Sequence, residues 1–336
     1  MNEKESSIIY ILKSLAIFSV VCAHTAVMPE SISSGSVNLV VFLLSVMGTI
    51  GVPTFFVLSG YLFFESKRTF GEMLIEKLKT IVIPWIFCET LVWLYVVLRK
   101  GGITIKNWLL WIVGYKHSTY YLTVLILLFL LFYKLRKSNT CIFGGMILSL
   151  IAVLGLGWEW TYFDVINKIT GTYYLNIFNW MGYFCIGMIT RKYNLLNGII
   201  VFSKKVLPIS SSLLVIDIFI HFKLAISWTY FSKYTCINTM IFLLALVGIS
   251  ECLCDGKRAR VFKEVGRYSF TIYLLHELVV GTINYVTSWD AIGIIILVRP
   301  IIVIGLVMVG VWLVMKLDKK ADWKWYRIFK LLVGIR

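Results

Sequence analysis

The sequence predicts an all-α integral membrane protein of about ten transmembrane helices, with the N-terminus and the C-terminus in the cytoplasm. Of its 336 residues, 59% are apolar and 15% are charged, whereas soluble proteins carry about 25% charged residues. The mean hydropathy is +0.86, and the apolar residues form continuous runs of roughly 20 residues, long enough to cross a bilayer as helices. These observations exclude soluble, fibrous and disordered chains, and the continuity of the runs argues against the alternating strands of a membrane barrel.

Ten apolar runs are the predicted spans, and the chain divides around them into a membrane domain over 1–315 and a basic, aromatic tail over 316–336. The first run has no small-residue cleavage site, so we interpret it as a retained span and not a signal peptide. The tail is interpreted as an anchor at the cytoplasmic interface. The predicted spans are 8–28, 38–62, 80–98, 119–135, 140–157, 173–190, 206–222, 234–250, 268–286 and 292–315.

Basic residues set the predicted orientation. The chain has 33 Lys and Arg against 17 Asp and Glu, a net charge of +16; in a soluble protein this would suggest a nucleic-acid partner, but here it indicates basic cytoplasmic loops. With the N-terminus inside, the cytoplasmic segments carry 25 basic residues and the outer loops seven. This asymmetry favours cytoplasmic termini and an even number of spans. The outer loop 99–118 contains Trp108 and Trp111 and is expected to lie along the membrane interface.

The cysteines indicate neither a disulfide framework nor a metal site. Seven cysteines are scattered along the chain, mostly inside apolar runs, unlike the regular spacing of small secreted proteins. Cys252 and Cys254 lack a His or a second Cys pair at zinc-binding spacing. No metal is therefore expected.

Ionisable residues inside the spans are the candidate functional residues, because such groups are costly in a bilayer and usually face the interior of the bundle. Asp217 and His221 lie four residues apart on one helix face and are interpreted as a structural pair. Packing explains His276 at least as well as a functional role, and Glu277 is not expected to share the helix face of its neighbour. The full set is Lys13, His24, Glu89, Asp217, His221, His276, Glu277 and Arg299.

Lys13 and His24 are the most informative pair. Eleven residues at about 100° each bring both side chains to one helix face, ~16 Å apart along the axis. A snorkelling lysine and a packed histidine are the alternative interpretation. Ser59 and Gly60 near the end of the second span, and Lys77 and Lys79 before the third, are expected to meet Lys13 at one cytoplasmic mouth that suits a phosphate-bearing ligand. 

The ordered motifs resemble acyltransferase family 3, a family of multispanning membrane acyltransferases that modify cell-surface carbohydrates and other acceptors. The chain departs from the family where many members have Arg-x-x-Arg and this sequence has Lys77-Leu78-Lys79, and the usual Trp near Tyr120 is replaced. The matching segments are Lys13 to His24, Phe55-Phe56 with Ser59-Gly60-Tyr61, Lys77 and Lys79 before Pro84-Trp85, Tyr120-Tyr121-Leu122, Phe184 to Met188, and Ser269 to His276.

The resemblance implies an O-acyltransferase, by expectation an O-acetyltransferase, of the bacterial cytoplasmic membrane. Its donor would be acyl-coenzyme A, most simply acetyl-coenzyme A, with no other cofactor, and its acceptor a polysaccharide or lipid-linked sugar. Lys13, Ser59, Gly60, Lys77 and Lys79 would bind the donor. The thioester would reach His24, which either activates the acceptor hydroxyl or carries the acyl group transiently. 

Three further residues are candidate supporting groups in that reaction. They are His276, Glu89 and Arg299, the last as a partner of Glu89 or of an anionic acceptor group. Three other interpretations of the chain remain open: an exporter of polysaccharide or lipid-linked intermediates, an inactive relative acting as a scaffold, and an acyltransferase with a lipid, antibiotic or peptidoglycan acceptor.

Overall fold

A computed structural model describes residues 3–26, 35–115, 119–155, 168, 172–224, 235–254, 256–286, 293–318 and 324–335. Throughout these residues the regular elements are helices, with a π-helix at Leu78–Val82 and a 3-10 turn at Tyr173–Leu175. The helices are α1 (Glu3–Thr25), α2 (Gly35–Gly48), α3 (Gly51–Phe64), α4 (Phe70–Lys77), α5 (Ile83–Lys100), α6 (Ile105–Val113), α7 (Tyr120–Leu135), α8 (Asn139–Gly155), α9 (Ile177–Lys192), α10 (Leu196–Lys223), α11 (Thr235–Cys252), α12 (Lys257–Arg267), α13 (Ser269–Val286), α14 (Gly293–Asp318) and α15 (Lys324–Leu332).

Within the described residues a helix covers most of each predicted span, and the helical membrane class is confirmed. Five stretches are long and apolar enough to cross a membrane, and shorter apolar helices accompany them. Ten spans and cytoplasmic termini stay predictions. Positions 27, 28, 156, 157, 234 and 292 of the predicted spans fall outside the described residues. The five long stretches are Glu3–Thr25, Leu39–Phe64, Phe70–Arg99, Leu196–Lys223 and Ile296–Leu317.

Three of the predicted spans differ clearly in extent from the helices observed. The seventh, predicted to start at 206, belongs to α10, which begins at Leu196. The second is interrupted between Gly48 and Gly51, where α2 ends and α3 begins. The helix of the third span starts at Phe70, ten residues before the predicted start at 80. Thr69 and Glu72 form a capping box that begins α4 there. A π-helix then joins α4 to α5 without a break, so Lys77 belongs to the same long helical rod as the apolar span.

Helix α1 lies at the centre of the bundle. It contacts α2, α3, α11, α12, α13 and α14, and Ile11, Ile17, Val21 and Cys22 on it are fully buried. Burial on several sides explains why α1 is apolar around most of its circumference rather than along one stripe. Its few polar side chains are therefore enclosed by the neighbouring helices.

Helices α3 and α9 cross in direct backbone contact. A Cβ added to Gly60 would lie 2.0 Å from the carbonyl oxygen of Phe184, and one added to Gly187 would lie 1.9 Å from that of Val57. No side chain fits in such a contact, so the paired glycines allow the helices to approach closely, as small residues do in membrane bundles. This crossing fixes α3, which lines the main cavity.

An ionic cluster ties the same two helices to the start of α1. Arg191 at the end of α9 donates to the Glu5 carboxylate (2.6 Å) and to the Tyr61 hydroxyl oxygen (2.8 Å). It also pairs with Glu65, while the Tyr61 hydroxyl donates to Glu5. Because Arg191 is mostly buried, these acceptors offset the cost of removing its charge from water. 

The C-terminal residues pack into the bundle. Helix α14 continues to Asp318 across the predicted boundary at 315, and 319–323 lie outside the described residues. After α15, Val333 and Ile335 are buried in the main core. The Thr271 hydroxyl donates to the Gly334 carbonyl oxygen (3.0 Å). The Cys88 thiol lies 3.5 Å from the carbonyl oxygen of Leu332. We call residues 332–335 the C-terminal hook.

Candidate functional site

The main cavity has a cationic end and an aromatic end. It has a volume of about 240 Å³ and lies between α1, α3, α4, α7 and α13. Lys77, whose Nζ is 4.6 Å from the Phe129 ring centroid, and Arg68 mark a cationic end, and Tyr121, about two helical turns earlier on α7, and Tyr273 mark an aromatic end. Lys13 lines the same cavity. A cavity of this kind suits an elongated ligand that has an anionic head and a less polar arm.

The structure separates the two lysines that precede the third span. Lys77 lines the cavity, whereas Lys79 is exposed on the π-helix and is not among the lining residues. Arg68 lines the cavity beside Lys77, although no motif distinguishes it from the other basic loop residues. It pairs with Glu76, and only the fold brings it to the cavity.

The structure also separates Ser59 from Gly60. Ser59 lines the cavity, with its hydroxyl oxygen 3.3 Å from that of Tyr121. Gly60 faces the opposite way and packs on the backbone of α9. Its role in the structure is close helix packing, whereas the sequence placed it in the donor site.

His24 lies in a cluster with two neighbours from α13. Its Nδ1 is 3.5 Å from Oε1 of Glu277, and its ring centroid is 4.8 Å from that of His276. The expectation that Glu277 lies on a different face from His276 does not exclude it from the site, because His24 contacts both. The adjacency of His276 and Glu277 in one motif was the available sequence signal.

The tautomer of His276 follows from its backbone contact. Its Nδ1 lies 2.7 Å from the carbonyl oxygen of Tyr273, and a carbonyl only accepts, so Nδ1 carries the proton. In the neutral ring Nε2 is then the acceptor nitrogen. The side chain is 2% exposed, and the Tyr273 ring next to it, 5.9 Å away, borders the main cavity.

A family model described as an acyltransferase domain matches residues 8–316. The chain belongs to acyltransferase family 3. Its resemblance to that family is thus confirmed over nearly the whole sequence, and the protein is a membrane acyltransferase. No curated protein and no solved structure matches the chain. The matched region contains the whole cavity and the His24 cluster.

A second, smaller recess borders His24 in this acyltransferase. It measures about 10 Å³, and its polar lining residues are His24, Thr25, Asn284 and Arg299. Arg299 is 4% exposed. His24 borders this recess, and the rings of His276 and Tyr273 separate it from the main cavity.

Helix α6 covers the side of the site that carries Glu89. The Trp111 indole donates to the buried Glu89 carboxylate (3.1 Å), and the Trp108 indole donates to the Thr90 hydroxyl (3.1 Å). The loop that the sequence assigned to the membrane interface is thus docked on α5 through both tryptophans. Glu89 therefore holds α6 in place through its hydrogen bond with Trp111.

The His24 cluster allows two kinds of chemistry. The ligand atoms of His24, His276 and Glu277 lie within 4.8 Å of one another, and two His with one Glu is a known zinc ligand set. The same contact also matches a histidine base oriented by a carboxylate. Asp217 and His221 form a separate pair on α10, 3.3 Å apart, which agrees with a structural role.

Proposed function

We propose that the protein transfers a short acyl group, most simply acetyl, from cytoplasmic acyl-coenzyme A to a hydroxyl of a cell-surface or lipid-linked carbohydrate. The observation that carries this proposal is one cavity lined by Lys13, Arg68 and Lys77 and by the Tyr273 ring, which is connected to His24 through the ring of His276. Coenzyme A combines a phosphate-rich nucleotide with a long, weakly charged arm, which matches this polarity.

The donor would lie along α1. Its phosphates would bind at the cationic end, where charge-assisted hydrogen bonds are strongest, and the Ser59 hydroxyl would lie beside the arm. Lys13 and His24 are ~16 Å apart along the helix axis, a length that an extended pantetheine arm covers. The excess of basic residues on the predicted inner side supports a donor that enters from the cytoplasm.

The reaction would use His24 as a general base. Glu277 holds the proton on Nδ1, which leaves Nε2 to take the proton from the acceptor hydroxyl. The acceptor oxygen then forms a bond to the thioester carbonyl carbon, the carbon–sulfur bond breaks, and the departing sulfur takes the proton from Nε2. The products are an ester and the free coenzyme A thiol, and no acyl-enzyme is formed.

One hydroxyl of the acceptor would reach His24 through the small recess, which has room for about one water-sized group. Asn284, Thr25 and Arg299 provide polar groups there, as hydroxylated ligands require. Donor and acceptor would then approach the imidazole from different spaces, which allows a cytoplasmic donor to acylate an acceptor of the bacterial cytoplasmic membrane on its outer side.

Reconstituted protein tests the proposal. Wild-type protein in vesicles of known orientation should consume acetyl-coenzyme A supplied on the Lys13 side only, and His24→Ala should lower transfer about 100-fold or more while its melting temperature stays near that of the wild type. A chelator should leave the rate unchanged, because the base carries the chemistry. Substantial transfer by His24→Ala would contradict the proposed base, and movement of a sugar lipid without coenzyme A release would favour an exporter.

A further inference from the structure

We propose that Arg68 binds the 3′-phosphate of coenzyme A, and that the enzyme thereby selects coenzyme A over dephospho-coenzyme A and over other pantetheine thioesters. The inference rests on the proposed function, because it assumes coenzyme A in the main cavity with its phosphates at the cationic end. It goes further by assigning the two phosphate positions of the donor to separate residues and by naming the residue that recognises the terminal one.

The residues of α7 give the order of positions along the main cavity. Tyr121 lies at the aromatic end, Phe129 lies about 12 Å further along the helix axis, and Tyr133 lies about 6 Å beyond Phe129. The Nζ atom of Lys77 is 4.6 Å from the Phe129 ring centroid, whereas the Tyr133 hydroxyl lies 3.4 Å from the Arg68 carbonyl oxygen. The backbone at Arg68 is therefore about one helical turn further from the aromatic end than the Lys77 ammonium.

Helix α3 gives the same order. Its Ser59 hydroxyl oxygen lies 3.3 Å from that of Tyr121, its Phe63 ring centroid lies 5.1 Å from that of Phe129, and Arg68 follows after the helix has ended. Both helices therefore lead from the aromatic end of the cavity toward Arg68.

Helix α4 runs back toward the aromatic end. Phe70, two residues after Arg68, packs against Tyr133 with the ring centroids 5.0 Å apart. Lys77 follows seven residues later, about 10 Å along the axis, where it contacts the Phe129 ring. Three helices thus place Lys77 and Arg68 in series along the cavity, with Arg68 further from the aromatic end.

Coenzyme A carries its phosphates in the matching order. The pyrophosphate adjoins the pantetheine arm, and the 3′-phosphate lies on the far side of one ribose ring. With the arm directed toward the aromatic end, the pyrophosphate lies near Lys77 and the 3′-phosphate reaches Arg68. Each phosphate position then has its own cation.

The Arg68 side chain suits a terminal phosphate. Its pairing with Glu76 uses one guanidinium nitrogen, and the remaining N–H donors of the planar fork can bind two phosphate oxygens at once. The side chain is 52% exposed and lines the cavity, so it lies where the outermost charge of a ligand stays close to water. A phosphate monoester has about two negative charges at neutral pH, which makes it the group of the donor that an arginine attracts most strongly.

This assignment makes the 3′-phosphate a determinant of donor choice. Dephospho-coenzyme A keeps the pyrophosphate that lies near Lys77 and lacks only the group that contacts Arg68. The phosphopantetheine arm of an acyl carrier protein lacks the nucleotide altogether. The enzyme should therefore use free coenzyme A thioesters and discriminate against both alternatives.

The test measures the dissociation constants of coenzyme A and of 3′-dephospho-coenzyme A by calorimetry, with the purified full-length protein at one ionic strength. The wild type should bind coenzyme A about tenfold more tightly, as expected for one charge-assisted contact. In Arg68→Ala this ratio should fall below about twofold, because coenzyme A binds more weakly while dephospho-coenzyme A binds as before. Tyr133 contacts the backbone carbonyl oxygen of Arg68, so the variant should keep the wild-type melting temperature. Arg68→Gln retains a polar side chain of similar reach and should lose the ratio in the same way.

Lys77→Ala and Lys67→Ala are the matched controls. Lys77→Ala removes a second lining cation and should weaken the binding of both ligands alike, which leaves their ratio near the wild-type value. Lys67→Ala removes the same charge from the same loop as Arg68→Ala. Because Lys67 is exposed and is not among the described residues that line the cavity, this substitution should leave both dissociation constants unchanged.

The outcomes distinguish this inference from the proposed function. Equal affinity of the wild type for the two ligands, or a folded Arg68→Ala that retains the wild-type ratio, overturns the role of Arg68 while coenzyme A binding stands. A Lys67→Ala that lowers the ratio as much as Arg68→Ala also overturns it, because the overall charge of the loop would then select the donor. Absence of binding of both ligands to the wild type overturns the proposed function and this inference together.

Discussion

At the residue scale, the proposed chemistry centres on the two nitrogens of His24. A base must present one nitrogen to the acceptor and keep the proton on the other, and a carboxylate on the second nitrogen achieves this. Glu277 Oε1, 3.5 Å from Nδ1, is placed to do so. In the proposed reaction the carboxylate would also stabilise the imidazolium that forms during transfer, which an uncharged group does less well.

Glu277→Gln should therefore lower kcat about tenfold or more and leave KM for acetyl-coenzyme A nearly unchanged. The amide keeps the size of the side chain but removes the charge that stabilises the protonated imidazole. Steady-state kinetics over a range of pH measures both constants. An unchanged kcat for the folded variant would contradict the positioning role, and a lost melting transition would mean that Glu277 acts only in packing.

The sequence could predict only part of this cluster. Helix periodicity brings Lys13 and His24 to one face of α1, because that relation depends on a single element. The proximity of Glu277 and Arg68 to the site depends on how separate helices pack, and neither the spacing nor the hydropathy of the chain contains that information. The sequence analysis thus missed Glu277 and Arg68 because tertiary contacts set their positions.

At the element scale, helix periodicity separates Lys77 and Lys79, two residues that the sequence motif grouped together. Side chains two residues apart on a helix point about 200° apart, to nearly opposite faces. Lys77 lines the cavity, and Lys79 is exposed. This explains why only Lys77 of the predicted basic pair lines the cavity.

Lys77→Ala should raise KM for acetyl-coenzyme A about tenfold, because charge-assisted hydrogen bonds to phosphate contribute about 1.5–3 kcal/mol each. KM for the acceptor should not change. Lys79→Ala is the matched control and should change donor KM less than about twofold. Equal effects of the two substitutions on donor KM would show that the cationic end acts through its overall charge alone.

The close crossing of α3 and α9 leads to a second prediction at the scale of helices. Gly60→Leu should abolish the folded state or lower its stability by more than about 3 kcal/mol, because the new side chain would overlap the Phe184 backbone. Gly144→Leu, on α8, places the same side chain where nothing lies within 4 Å and should be tolerated. Thermal unfolding in detergent measures both. A stable Gly60→Leu would contradict direct backbone packing.

At the scale of the whole molecule, the cavity depends on residues from both ends of the chain. Glu5, near the N-terminus, joins the Arg191 cluster that fixes α3, and the C-terminal hook lies behind the first turns of α13, which carry Phe270 and Tyr273 into the cavity wall. The sequence predicted a separate basic tail, because amphipathic composition alone does not reveal which apolar residues are buried by contacts distant in the chain.

The hook should therefore influence donor binding although it lies outside the family match. Ile335 is 4% exposed in the main core, and Ile335→Asp would bury a carboxylate, at a cost of several kcal/mol. We expect the hook to detach, the melting temperature to fall and KM for acetyl-coenzyme A to rise more than KM for the acceptor. Ile335→Leu keeps the apolar volume and should cost less than about 1.5 kcal/mol. If Ile335→Asp keeps wild-type stability and donor KM, then α13 holds the cavity wall without the hook, and the packing of 332–335 has no consequence for the donor site.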